Sequence, residues 1–98
     1  MSCCVIGQVV RSKAGRDKNQ FMIVVGIPDD GYVLLSDGAS RKISRPKKKK
    51  IKHIAPTQSI VYDIQVRLTS GQKIQNAEIR RWLSPWNGES TEDQKEEV

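Results

Sequence analysis

Gly7-Gln8-Val9-Val10-Arg11-Ser12-Lys13-Ala14-Gly15-Arg16-Asp17-Lys18-Asn19-Gln20-Phe21-Met22-Ile23-Val24-Val25-Gly26-Ile27 is the stretch on which the fold turns. An apolar run stands near each end, Val9-Val10 and Phe21 to Val25, with a polar segment, Arg11 to Gln20, between them. That segment carries four cations, Arg11, Lys13, Arg16 and Lys18, against one acid, Asp17. Short β-favouring runs separated by Gly and Asn read as two strands joined by a turn. Gly15 is the expected turn residue, because without a Cβ it reaches backbone angles that strain other residues. Asn19 is a second candidate for a left-handed conformation. A short loop on a rigid sheet holds its charges in place, which suits contact with phosphates.

Working outward, the first strand is expected from Cys4 to Ser12 and the second from Phe21 to Ile27. Pro28-Asp29-Asp30-Gly31 has the residue types of a tight turn. Tyr32 to Ser36 reads as a third strand, Asp37-Gly38 as a hairpin turn, and Ser40 to Ser44 as a short fourth strand. Ile51 to Ile54 is placed as a last short strand that closes the sheet. Several short strands with Gly and Asp turns point to a small barrel or sandwich.

A second chemical feature follows, from Arg41 to His53. It holds eight cations and no acid: Arg41, Lys42 and Arg45, then Lys47, Lys48, Lys49, Lys50 and Lys52. Pro46 keeps the start of the run extended. Four consecutive lysines repel one another, and a polyanion that gives up its counterions to them relieves that repulsion. The competing readings are a solvated loop or a localisation-type signal.

Beyond Pro56 two periods compete. Ile60, Val61, Ile64 and Leu68 fall at helical spacing, whereas Ile60, Tyr62, Ile64, Val66 and Leu68 alternate as in a strand. The length, a cap at Thr57 or Ser59 and the exit at Gly71 favour a helix, on which Asp63 and Arg67 form an i,i+4 pair. A second helix is expected with Asn76 as its cap, Glu78 in its first turn and Ile79, Trp82 and Leu83 on one face, ending at Pro85. Trp82 and Trp86 are placed in the core or as a lid in preference to a base-stacking platform. From Asn87 onward the chain is polar and acidic and reads as a disordered tail.

The 98 residues make one domain the default, and a domain of this size buries a modest core. The net charge of +6 is uneven: residues 1–86 hold 16 Lys plus Arg against 6 Asp plus Glu, or +10, and residues 87–98 carry −4. Such an excess attracts polyanions, nucleic acid above all; the alternative is a basic surface without a partner. No apolar run approaches the roughly 18 residues of a membrane span, and the N-terminus lacks a signal-peptide pattern, so a cytoplasmic location and no membrane partner are expected. Cys3 and Cys4 are adjacent, and with His53 they make a poor metal-ligand set, so neither metal nor cofactor is expected. Ser36, Asp37 and His53 are the one conceivable catalytic trio, and nothing in their spacing supports it; an enzyme is not expected.

Gly7, Val9, Val10, Gly15, Asp17, Lys18 and the Phe21 to Val25 run resemble a KOW motif, with Asn19 where such motifs commonly carry a second Gly. Together with Asp37-Gly38, Arg41-Lys42, the run from Arg45 to His53 and Asn76-Ala77-Glu78-Ile79-Arg80, the pattern is similar to the small bacterial KOW-domain RNA-binding proteins. That family is related to the archaeal and eukaryotic large-subunit ribosomal proteins of the fourteen, six and twenty-seven e-type group. The resemblance implies a mainly β fold, an SH3-like small barrel followed by a C-terminal helical hairpin. The expected organisation is a barrel over residues 1–55, a helical extension over 56–86 and an acidic tail over 87–98. It also implies binding of RNA, ribosomal RNA in the first place with ribosomal proteins as further partners, and a role in translation. The residues carried over are Arg11, Lys13, Arg16, Lys18, Arg41, Lys42 and Lys47 to Lys50. Arg45 and Lys52 complete the expected contact set, and the alternative function is a protein-interaction adaptor of the transcription or translation machinery.

Overall fold

In the computed structural model, which describes residues 4–87, the opening stretch folds into two antiparallel strands, β1 (Gln8–Ser12) and β2 (Phe21–Gly26). Strands β3 (Tyr32–Ser36), β4 (Lys47–Lys50) and β5 (Ile54–Ile60) complete an antiparallel sheet in the order β4-β3-β2-β1-β5. Two helices follow, α1 (Tyr62–Thr69) and α2 (Asn76–Asn87). The fold is mainly β, and its sheet is not closed by a β4–β5 ladder. Among the described residues no helix is long and apolar enough to cross a membrane.

The central strands are apolar on consecutive residues because both faces of the sheet are covered. Val10, Met22, Val24, Val33, Leu35 and Ile54 pack together on one face. Val9 and Ile23, one residue out of step, face the other way and pack with Val61, Ile64, Ile79 and Leu83 from the helical half. Sheet and helices therefore share a core, and a boundary at residue 55 would cut through β5.

Register shifts interrupt the ladders between Gln8 and Val10 and between Val24 and Gly26. Irregularities of this kind bend a strand. Curvature shows directly in one contact. In a flat sheet β4 and β1, with β3 and β2 between them, would lie roughly 14 Å apart. Yet Lys49 Nζ of β4 donates to Ser12 Oγ of β1 over 2.7 Å, so the sheet curls until its first and fourth strands touch through their side chains.

Several elements differ from expectation, each for a local reason. β1 begins at Gln8, not Cys4, because Gly7 turns the chain at φ +92° where a Cβ would stand 2.9 Å from the Val61 carbonyl oxygen. Residues 40–44 are loop, and the fourth strand is the lysine tract. Asp37 Oδ1 accepts from the backbone N–H groups of Ala39 and Arg41, both at 2.8 Å, and Asn76 Oδ1 accepts from Ile43 N–H at 2.8 Å. Side chains thus satisfy donors that a strand would have offered to a neighbour. Ile51–His53 is a single 3-10 turn, and the strand after it runs to Ile60. Thr57 and Ser59 therefore lie in β5, where Thr57 Oγ1 donates to the Val9 carbonyl over 2.7 Å. The helical reading holds from Tyr62 to Thr69, and of the alternating series only Ile60 lies in a strand, the last residue of β5 before the chain turns at Val61.

The Asp63–Arg67 pair forms at 2.9 Å, and Arg67 also pairs with Glu78, joining the two helices. Asn76 does not cap α2. The Gln75 carbonyl accepts from Glu78 and Ile79, and the Glu78 carboxylate reaches back to Gln75 N–H over 3.2 Å, which is half of a capping box. Pro85 does not end the helix. It sits in the last turn, where its missing N–H forfeits one helical bond, and Asn87 anchors the end by exchanging hydrogen bonds with the Phe21 backbone at 2.8 and 3.3 Å. Asn87 is thus part of α2; the rest of the expected tail, residues 88–98, lies outside the described residues, as does Cys3. Trp82 and Trp86 are not core: they are 44% and 36% exposed, Trp86 leaning on Phe21 with ring centroids 5.2 Å apart.

Candidate nucleic-acid interface

The loop between β1 and β2 is built from its own backbone. Ser12 N–H donates to the Gln20 carbonyl over 2.9 Å and Asn19 N–H to the Ser12 carbonyl over 2.8 Å. Gly15 at φ +88° and Asn19 at φ +73° take the left-handed conformations that the sequence assigns them. Arg11 Nη1 donates to Asn19 Oδ1 over 3.0 Å, tying the loop's base to its far side.

Lys49 fastens this loop to the sheet. Its ammonium donates to Asp17 Oδ1 at 2.7 Å, Ser12 Oγ at 2.7 Å and the Ala14 carbonyl at 2.8 Å. The two side chains of the ion pair are 8% and 11% exposed. Burial pushes the Asp17 carboxyl up, but hydrogen bonds from Lys49 and Ser12, together with the Lys49 charge, outweigh it and hold the group below its ordinary value. Asp17 Oδ2 is buried without a partner, so the carboxylate is held entirely through its other oxygen and its local charge balance.

Lys49 is therefore not a surface cation, and a packing reason exists for one of the four lysines. Strand alternation sorts the rest. Lys47 shares the face of Lys49, whereas Lys48 and Lys50 point the other way, opposite Leu34 and Tyr32. Lys48 stands 3.3 Å from Asp29 and lies over the Tyr32 ring at 4.8 Å, toward the β2–β3 turn and away from the β1–β2 loop.

Three segments converge on the β1–β2 loop. Lys49 brings β4, the Lys13 N–H bond to the His53 carbonyl at 2.9 Å brings the 51–53 turn with Lys52, and a recess shared by Arg16 and Arg41 brings the 37–46 loop. Lys13, Arg16, Lys18, Arg41, Lys42 and Arg45 make no ion pair with any described residue, and the same holds for Lys47, Lys50 and Lys52. Their charges are available to a polyanion, on backbones that are held in place.

The residues that position this surface, Ser12, Asp17, Ser36 and Asp37, are not among the expected contacts. The one signal for Asp17 is that it is the only acid in the first 28 residues, and this takes on meaning only once the lysine tract is known to be a strand with Lys49 turned inward. Ser36 Oγ donates to the Arg41 carbonyl over 2.7 Å and Asp37 holds Arg41 N–H, so neither makes a hydrogen bond with His53. Among the described residues no group of His, Cys, Asp and Glu side chains could hold a metal ion. In comparisons with known proteins, no protein-family model matches the chain and no curated protein matches it significantly in sequence.

Proposed function

We propose that this chain is an RNA-binding protein of the KOW kind, docking on structured RNA through its basic loops and acting with ribosomes or the translation machinery. The curled sheet, with a fifth strand that returns to pair with the first, supports an SH3-like barrel left open at one seam. The observation that carries the reading is the latch from Lys49 to Asp17, which brings the lysine strand and the first loop together on one side of the molecule. Phosphate contacts of this sort set orientation and affinity without reading sequence. If six phosphates are neutralised, log affinity for duplex RNA falls against log salt with a slope of about −5. Titrating a labelled RNA hairpin at several salt concentrations tests this, and an affinity indifferent to salt would defeat it.

A second reading, a protein-interaction adaptor, draws on the opposite flank of α2. There Tyr62, Trp82, Pro85 and Trp86 line an apolar groove, with Tyr62 65% exposed. A partner that survives nuclease and high salt in a pull-down favours the adaptor over the RNA-binding protein.

A further inference from the structure

Two adjoining recesses lie beside the 37–46 loop, and one of them reaches α2. One, of about 360 Å³, is lined by Arg16, Asp17, Gln20, Ser40 and Arg41. The other, of about 350 Å³, shares Gln20 and Ser40 with the first and adds Asp37, Arg80 and Leu83. With Gln20 and Ser40 common to both, the recesses lie side by side as a trench of two differently built halves.

The first half suits an anion. Arg16 and Arg41 come from different loops and make no ion pair with a described residue. A guanidinium presents a fixed fork of donors that matches phosphate oxygens, and the Ser40 hydroxyl adds another donor. Both walls are rigid. The Arg41 carbonyl accepts from Ser36 Oγ at 2.7 Å and its N–H is held by Asp37 at 2.8 Å, while Asp17, next to Arg16, is fastened by Lys49. Asp17 is the negative group at this end, and the ammonium 2.7 Å away offsets its charge.

The second half differs in chemistry. Its apolar lining is Leu83, 1% exposed, with Ala39, and around them stand the polar side chains of Gln20, Asp37, Ser40, Ser84 and Asn87. An apolar lining with a few polar groups around it is the make-up of a site for a small heterocycle. Arg80 is committed elsewhere, donating to the Gly38 carbonyl over 2.6 Å.

A phosphate seat beside a heterocycle-sized recess describes a nucleotide. We propose that the trench takes one unpaired nucleotide of the bound RNA, its phosphate between Arg16 and Arg41 and its base over Leu83. The proposal rests on the RNA-binding reading and narrows it to RNA with a bulged or terminal nucleotide. A base stacked within a duplex cannot enter such a recess, whereas one splayed out of the helix can. With no aromatic residue lining either half, the base is held by hydrogen bonds along its edge.

The test uses the full chain and two labelled RNA hairpins that differ only by a single bulged nucleotide, followed by fluorescence anisotropy. The bulged hairpin is expected to bind at least about fivefold tighter. Ser40→Tyr, a change at an exposed residue of the shared wall that fills the recess, is expected to erase that preference. Gln20→Ala, which removes a polar lining group without adding bulk, is expected to reduce the preference in the same way. Equal affinity for the two hairpins overturns the trench and leaves the RNA reading standing, as does a preference that survives both substitutions. Binding of neither hairpin overturns both. Free nucleoside 5′-monophosphates that compete as tightly as the bulged hairpin overturn the assignment to RNA.

Discussion

The Lys49 ammonium stands 2.7 Å from the Asp17 carboxylate, joining an edge strand to a loop three strands away in the sheet. Shape and charge are thereby coupled. The contact spans the curled sheet, fixes the β1–β2 loop and removes one lysine from the outward-facing charges of a tract of four.

Removing one partner of a buried pair leaves the other charge unpaired, at a cost of about 3 kcal/mol or more. Lys49→Ala is therefore expected to lower the urea midpoint far more than Lys48→Ala, whose ion pair with Asp29 is half exposed and is worth at most about 1 kcal/mol. Equal losses for the two variants would contradict the sorting of the tract into inward and outward lysines.

The same pair sets an acid limit. The folded-state pKa of Asp17 lies below its ordinary value, so its contribution to stability is complete above the unfolded-state value of about 3.9 and is lost as pH falls through the folded-state value. Glu78 is also held low, by its hydrogen bonds from Arg67 and Gln75 N–H, so the whole protein loses stability in the same direction. Asp17→Asn isolates one share: the gap in stability between wild type and variant should narrow as pH drops from 5 to 2, measured by urea denaturation at each pH. A gap that stays constant would mean that Asp17 is not held low.

Gly31 and Gly38 separate backbone strain from crowding. Their φ values are +81° and +75°, but a Cβ on Gly31 meets open space, whereas one on Gly38 would lie 2.4 Å from the Asn76 carbonyl oxygen. Gly31→Ala should cost about 1 kcal/mol from the left-handed backbone alone. Gly38→Ala should cost a further 1–3 kcal/mol or so, because the 37–46 loop must lift off the start of α2. Thermal denaturation of the two variants gives the comparison.

RNA binding should divide the cations in the same way as the geometry does. Arg41→Ala is expected to weaken binding across RNA sequences and to make the salt slope shallower by about 0.9, the change that follows when one duplex phosphate is no longer neutralised. Lys48→Ala, on the far face, should leave the slope unchanged. Salt titrations of both variants on one hairpin check this, and a matching change at Lys48 would place the interface elsewhere.

Much of this was legible in the chain. The runs Val9-Val10 and Phe21 to Val25 marked the central strands, and Gly15 and Asn19 marked the bends between them, because those features depend on neighbouring residues alone. Legibility failed where a side chain took over hydrogen bonds that the backbone pattern alone would assign elsewhere. Asn76 and Asp37 hold residues 39–43 out of the sheet, and Asn87 lets α2 run past Pro85 to reach Phe21. The lysine tract looked like pure surface because repulsion among like charges hides the alternation of a strand. Its inward member became visible only with Ser12, Ala14 and Asp17 in place around it.

Placing lysines on an outermost strand has a result for the crowded cell. An uncovered sheet margin invites the same margin of another copy to zip onto it. Here Lys48 and Lys50 face outward along β4, and Pro56 interrupts the row of donors on β5 at the opposite margin. Two molecules meeting edge to edge would bring cation against cation on one side and a missing donor on the other. Both margins thus disfavour the edge-to-edge pairing of two copies, a separate task from any that falls to the cations around the β1–β2 loop.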